Sequence, residues 1–176
     1  EVKLLPPQFV KAFVRGNKND YNDALAIAEA VVRPEMRGVP VKTVEQLDAQ
    51  ALHRLREQCL AARTALVNQL RGLLAEHGLV LSPGIGHVRR CLPALLEDAE
   101  NGLSDLFRRL LAQGYQRLQE HDTHIAYYTT ELKRQSQQDA ACQLLQTIPG
   151  YGPIVASVFH STVGDGQAYR RGRDVS

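Results

Sequence analysis

The fold class is decided by one stretch, Thr43–His77, which reads TVEQLDAQALHRLREQCLAARTALVNQLRGLLAEH. Apolar positions recur in it at intervals of three and four, the period of an amphipathic α-helix. Thr43 with Gln46 supplies a capping signal at the start, and Gly78 is a plausible left-handed cap at the end. The stretch therefore predicts one long helix. Its repeating positions are Leu47, Ala51, Leu55, Cys59, Ala62, Leu66, Leu70, Leu73 and His77.

A second stretch, about Ser104–Gln137, shows the same period. Between the two lie a loop over residues 78–86 and one or two short helices over Val88–Leu96, with Pro93 in a first turn. Two long helices joined by a compact connector pack most simply as an antiparallel, coiled-coil-like hairpin. The fold class is therefore mainly α. The repeating positions of the second helix are Leu103, Phe107, Leu110, Gly114, Leu118, His121, Ile125, Tyr128 and Leu132.

The first residues follow a different pattern. Val2–Leu5 is compatible with a short strand, which Pro6 and Pro7 end because proline donates no ladder hydrogen bond. A helix is predicted over Asp20–Val32. A lone strand and one helix cannot form a domain, so this segment is expected to complete a larger sheet. The predicted packing face of the helix is Leu25, Ile27, Ala28 and Val31.

Two carboxylates, Asp20 and Asp23, stand at the start of that helix, in the segment GNKNDYNDA, Gly16–Ala24. Residues three apart share a helix face, so both acids point the same way. Neighbouring carboxylates repel each other, and a hard cation such as Mg²⁺ or Mn²⁺ relieves that repulsion. The alternative is that these acids only cap the helix and complement its dipole.

A turn with two glycines, Gly150 and Gly152, separates two helical segments within LLQTIPGYGPIVA, Leu144–Ala156. The arrangement is similar to a helix-hairpin-helix, in which glycines let backbone N–H groups approach a nucleic-acid phosphate. An ordinary αα-hairpin explains the same pattern.

Composition excludes several classes of protein. The net charge is only +2, the three cysteines form no C-x-x-C pair, and no apolar run reaches the length of a membrane span. A disulfide scaffold, a cysteine zinc site and a membrane partner are therefore not expected. Four arginines on the outer face of the first long helix are candidates for phosphate contacts, although they equally suit a solvated face. They are Arg54, Arg56, Arg63 and Arg71.

Three motifs in collinear order resemble the DEDD family of bacterial insertion-sequence transposases. They are VKLLPP with Lys18-x-Asp20-x-x-Asp23, the string from His53 to Arg71, and Pro149-Gly150-x-Gly152 with Val163-Gly164-Asp165. The resemblance implies that Asp20 and Asp23 are the third and fourth metal-binding acids of a RuvC-like (RNase H-like) α/β domain. Lys18 is then placed to touch a backbone phosphate. Position and charge make Arg54, Arg63 and Arg71 candidates for nucleic-acid contacts, and the shape of the turn does the same for Gly150 and Gly152.

The resemblance also implies a division of the chain. Residues 1–36 would be the C-terminal end of the RuvC-like catalytic domain, residues 37–140 the helical hairpin, and residues 141–176 the start of a second, serine-bearing domain. The implied activity is cleavage and rejoining of DNA with Mg²⁺, directed by a structured guide RNA in a homo-oligomer. The expected location is the bacterial cytoplasm, associated with the nucleoid.

The chain begins without Met, and the family's other two acids and its serine have no counterpart in it, so we expect an inactive fragment. Two alternatives remain open. One is a RuvC-like junction resolvase. The other is a non-catalytic helical scaffold for dimerisation and nucleic-acid binding.

Overall fold

The computed structural model describes residues 2–17, 19–36, 38–167, 169 and 171–172. Within this part of the chain the mainly α fold is confirmed, because every element longer than three residues is an α-helix. The chain divides into two compact units, Glu1–Leu47 with Val163–Ser176 and Asp48–Thr162. The three-domain assignment made from the sequence stays a prediction. No helix in the described ranges has the length and apolar character needed to cross a membrane.

The first unit contains α1 (Pro7–Val10), a 3₁₀ turn (Lys11–Phe13) and α2 (Asp20–Val31). The predicted strand at Val2–Leu5 is reduced to one antiparallel bridge, in which the Val39 amide donates to the Leu4 carbonyl at 2.8 Å. α1 begins at the second proline, since proline suits the first turn of a helix.

The packing face predicted for α2 is wrong. The helix buries Ala26 and Ala30, whereas Leu25, Ile27 and Val31 are exposed. α2 contacts both α1 and the 3₁₀ turn, and alanine permits close approach of a neighbouring backbone. Periodicity gives most weight to large apolar side chains and cannot tell which of two apolar faces the neighbouring segment covers.

The second unit is built around two long helices, α3 (Val44–Glu76) and α5 (Asp105–Gln138). Contacts between them confirm the antiparallel hairpin, because residue numbers rise along one helix as they fall along the other. The contacting pairs are Arg56 with Thr129, Arg63 with Asp122, Leu70 with Gly114, and His77 with Phe107.

Both predicted boundary signals of α3 act as expected. The Gln46 amide donates to Thr43 Oγ1 at 3.3 Å, the Thr43 amide donates to Gln46 Oε1 at 3.0 Å, and Gly78 follows α3 with a φ of 78°. Ser104 caps α5 by accepting from the Phe107 amide at 3.2 Å. α4 (Ile85–Glu97) is a single helix that passes through Pro93, where a first-turn proline was predicted. Burial of Val88 and Leu92 fixes this helix in place and offsets the hydrogen bond that proline cannot make.

A cluster of buried leucines and valines joins α4 to the adjoining halves of α3 and α5. Leu111 rather than the predicted Leu110 belongs to it, because Leu110 is 51% exposed. Gly114 lies where the helices approach most closely, since a Cβ there would come within 2.6 Å of the Leu70 side chain. The cluster consists of Leu66, Val67, Leu70, Leu74, Val88, Leu92, Leu103, Leu111 and Leu118.

The other end of the unit is closed by α6 (Ala140–Leu145) and α7 (Pro153–Val163). Asp139 caps α6 by accepting from the Cys142 amide at 2.8 Å. Pro153 opens α7, since proline suits the first turn of a helix. The buried side chains of α7 are Ala156, Ser157 and Ser161.

Candidate metal and nucleic-acid sites

The acid pair occupies the first turn of α2, where the sequence placed it. The cap of this helix is Asn19, whose side chain accepts from the Asn22 amide at 2.7 Å, and the Asn22 side chain donates to the Asn17 carbonyl at 2.8 Å. The capping role is therefore filled without Asp20 or Asp23. Asp20 is exposed and Asp23 is partly buried.

The arginines of this region are directed at another acid. Arg15 and Arg33 both contact the carboxylate of Glu29, at 3.6 and 3.0 Å. The two carboxylates at the start of α2 fit the needs of Mg²⁺, which proteins commonly hold with one or two carboxylates while water and substrate phosphate supply the remaining oxygens. They are not a complete ligand set, and among the described residues no three His, Cys, Asp or Glu side chains gather at one point.

The predicted arginines have different surroundings. Arg54 is exposed on α3. Arg63 instead faces α5, where its Nη1 lies 3.1 Å from Asp122 Oδ1, and Arg71 donates through Nε and Nη2 to the Leu81 carbonyl at 3.3 Å. The outward orientation predicted for Arg63 and Arg71 is wrong, because both satisfy acceptors within their own unit. Lys18 lies outside the described residues.

Asp122 has a second partner that the sequence did not reveal. Arg89 of α4 contacts Asp122 Oδ2 through Nη2. Burial alone would raise the pKa of Asp122, but hydrogen bonds from Arg89 and Arg63 and the charges of both outweigh it, so the pKa lies below its usual value. The sequence offered two signals for this contact. Asp122 follows a repeating position of α5, and Arg89 and Arg90 are adjacent on α4.

The glycine turn is open to solvent. Gly150 has a φ of 88°, a conformation that favours glycine. Gly152 lies outside that conformational region, and a Cβ added to it would meet no other atom within 4 Å. Contacts among the described residues therefore do not require glycine at position 152.

A polar seam docks α7 against α3, and sequence reasoning missed it. His53 Nε2 lies 3.1 Å from Ser157 Oγ, and the Gln50 side chain donates to the Ser161 carbonyl at 2.9 Å. Burial first, and the charge of Arg56 second, lower the pKa of His53. The ring therefore favours its neutral form in the folded protein.

The sequence of this chain is similar to those of known transposases. Residues 1–78 match a family model described as a transposase, of the DEDD type of IS110. The transposase for insertion sequence element IS1111A of Coxiella burnetii is 42% identical over 174 residues, which are 99% of this chain and 48% of that protein. The chain is homologous to DEDD transposases of insertion sequences.

Two further transposases show the same extent of similarity. A probable family 20 transposase of Pseudomonas aeruginosa is 39% identical over 98% of this chain and 51% of its own length. The transposase for IS1328 of Yersinia enterocolitica is also 39% identical, over 99% of this chain and 51% of its own length. The chain thus spans about half the length of the curated relatives it matches. No solved structure matches it.

The resemblance to DEDD transposases seen in the sequence motifs is therefore confirmed. Similarity to the relatives continues past the family match through the helical hairpin and the glycine turn. All three relatives are named as transposases. The roles of the individual transposase site residues stay predictions.

Proposed function

We propose that this chain is part of a DNA transposase that cuts and rejoins DNA, and that Asp20 and Asp23 supply two ligands to its Mg²⁺ or Mn²⁺. The observation that carries the proposal is the cap of α2. Because Asn19 satisfies the first turn of the helix, the two carboxylates are left on one face for another purpose. The alternative role as helix caps loses its main support.

The acids have a defined task in this proposal. When bound, Mg²⁺ neutralises charge on a phosphate and orients the attacking oxygen. Asp20 and Asp23 would hold the ion from the first turn of α2. Hydrogen bonds of the Asn19 and Asn22 side chains stabilise that turn. Asp23 is the more sheltered of the pair and therefore the more precisely positioned ligand.

Nucleic acid is the proposed partner of the other predicted residues. Exposed Arg54 is suited to a backbone phosphate, as is Lys18, and the open surface over Gly150 and Gly152 is accessible to another. A structured guide RNA and a second copy of the chain, held through the helical hairpin, complete the proposal. Exposed leucines on both long helices, Leu55, Leu106 and Leu110, support such an assembly.

The metal site is tested with Mn²⁺, which broadens the NMR signals of nearby amides even when it binds weakly. We expect broadening centred on the first turn of α2 in the wild-type chain and its loss in the Asp20→Asn, Asp23→Asn double variant. Asp105→Asn is the matched control, since Asp105 is also a first-turn acid on a helix capped by another residue. Broadening of the same amides in the double variant would contradict the proposal.

A further inference from the structure

Three arginines and one carboxylate form a cluster where α3, α4 and α5 meet, and we call Arg56, Arg63, Arg89 and Asp122 the arginine cluster. Arg63 and Arg89 approach different oxygens of Asp122. Arg56 lies two helical turns before Arg63 on the same helix, about 10 Å away, and its Nε donates to Thr129 Oγ1 at 2.8 Å. α3 and α4 thus supply three guanidinium groups, and α5 supplies the acceptors Asp122 and Thr129.

The charges in this cluster are unbalanced. Two positive groups, Arg63 and Arg89, contact one carboxylate, and Arg56 donates to a neutral hydroxyl, in a chain whose formal net charge is only +2. The side chains of Arg63, Arg89 and Asp122 remain 23%, 42% and 27% exposed. Partly exposed ion pairs contribute little to stability, and the leucine cluster beside them already holds the three helices together. Stability alone does not explain two arginines on one acid.

The geometry is that of an anion site. Two arginines that converge on the two oxygens of one anion use the same donor arrangement that binds the free oxygens of a phosphate. Each guanidinium has five N–H donors, and one nitrogen of each reaches Asp122. A phosphate entering from the exposed side would therefore meet the remaining donors of Arg63 and Arg89.

We propose that the arginine cluster binds a phosphodiester of nucleic acid, and that Asp122 occupies Arg63 and Arg89 until that phosphate replaces it. The proposal rests on the proposed transposase function and deepens it. It adds Arg89 to the predicted contacts and gives Asp122 the role of an internal competitor. Arg56, farther along α3, would contact a second phosphate of the same strand.

Removal of the competitor tests the proposal. Asp122→Asn keeps the size of the side chain and removes its charge, and Glu120→Gln removes one charge from an exposed site on the same helix. Binding of a labelled RNA hairpin and of a labelled DNA duplex is measured by fluorescence anisotropy over a range of KCl concentrations. We expect Asp122→Asn to tighten binding roughly fivefold and Glu120→Gln to change it much less.

Removal of the arginines tests the other half. Arg63→Gln and Arg89→Gln should each lower the salt slope by about one, as expected for a lost phosphate contact. Arg109→Gln, at an exposed position of α5, is the matched control. When both cluster arginines are replaced, Asp122→Asn should no longer tighten binding beyond the Glu120→Gln control.

The outcomes separate this proposal from the function it rests on. If the wild type binds neither probe, the nucleic-acid role and the arginine cluster both fall. If the wild type binds but the cluster variants behave like their controls, only the arginine cluster is overturned. A change with one probe alone identifies RNA or DNA as the source of the phosphate. Circular dichroism checks folding, and Arg89→Gln, which leaves the Arg63–Asp122 pair in place, remains informative if another variant unfolds.

Discussion

The two ends of the long α3–α5 hairpin are covered in opposite ways. At one end α4 contributes Val88 and Leu92 to a cluster of buried leucines and valines. At the other end α7 turns Ser157 and Ser161 inward while Val155 and Val158 stay exposed. The first end is held by burial of apolar surface, which needs no particular geometry. The second buries fewer apolar side chains, Leu132, Cys142 and Ala156, and relies more on hydrogen bonds, whose strength depends on geometry.

This difference predicts an uneven distribution of stability. Regions with few buried apolar contacts open at lower free energy than a packed core. The end that carries α6, α7 and the glycine turn should therefore open before the leucine cluster does. The glycine turn, for which we propose a contact with nucleic acid, could then adjust to that partner without unfolding of the hairpin.

The largest effect should come from the leucine cluster. Leu118 is fully buried between the helices, so Leu118→Ala should lower the free energy of unfolding by about 2–5 kcal/mol through lost burial and a cavity. Urea denaturation measures it. Leu144→Ala is the control at the other end, because Leu144 is 71% exposed, and it should change stability by less than about 0.5 kcal/mol. Equal losses from the two variants would remove the contrast between the ends.

A smaller effect is expected from Gly114→Ala. The new Cβ would lie 2.6 Å from Leu70 Cδ2, so the buried leucine or the helix must shift. We expect a loss of about 1–3 kcal/mol, as for other overpacked cores. Gly72→Ala is the matched control on the same hairpin, because a Cβ there meets no atom within 4 Å. Adding Leu70→Val should recover part of the loss, and no recovery would place the strain elsewhere.

The smallest effect concerns pH at the polar end. Because the pKa of His53 is lowered in the folded state, the unfolded chain binds the proton more readily. The stability contributed by the neutral ring is present above the ordinary pKa of 6.5 and is lost as the pH falls through the lower folded value. Hydrogen exchange should show faster opening of α7 at mildly acid pH and little change in α3 beside the leucine cluster.

His53→Gln tests the origin of that dependence. Glutamine keeps a polar group near Ser157 but does not titrate in this range, so the acid-induced opening of α7 should disappear. His124→Gln, at an exposed site on α5, should leave it intact. Persistence of the effect in His53→Gln would assign it to another group.

The sequence predicted most of the local structure. The period of Thr43–His77, the cap at Thr43 and the left-handed Gly78 are local signals, and each acts in the structure as predicted. The acid pair and its helix start were equally readable, because three-residue spacing fixes a shared face without any knowledge of neighbours. The resemblance to DEDD transposases rested on such local strings as well.

The choice of face was not readable. Leu110 and Leu111 are both leucines, and only the position of α3 and α4 decides that Leu111 is buried. The same holds in α2, where alanines are buried and larger side chains are exposed, and for Arg63, which an acid 59 positions away turns inward. These outcomes depend on contacts between residues far apart in the chain, which no local period encodes.

The sequence by itself therefore determined where α2 and the two long helices begin and end, which acids share a turn, and which proteins this chain is related to. The tertiary structure alone decided that Arg63 and Arg89 meet on Asp122, and that serines rather than valines of α7 lie inside. The physical reason is that helix formation depends on neighbours within four residues, whereas burial and ion pairing depend on which helices pack together.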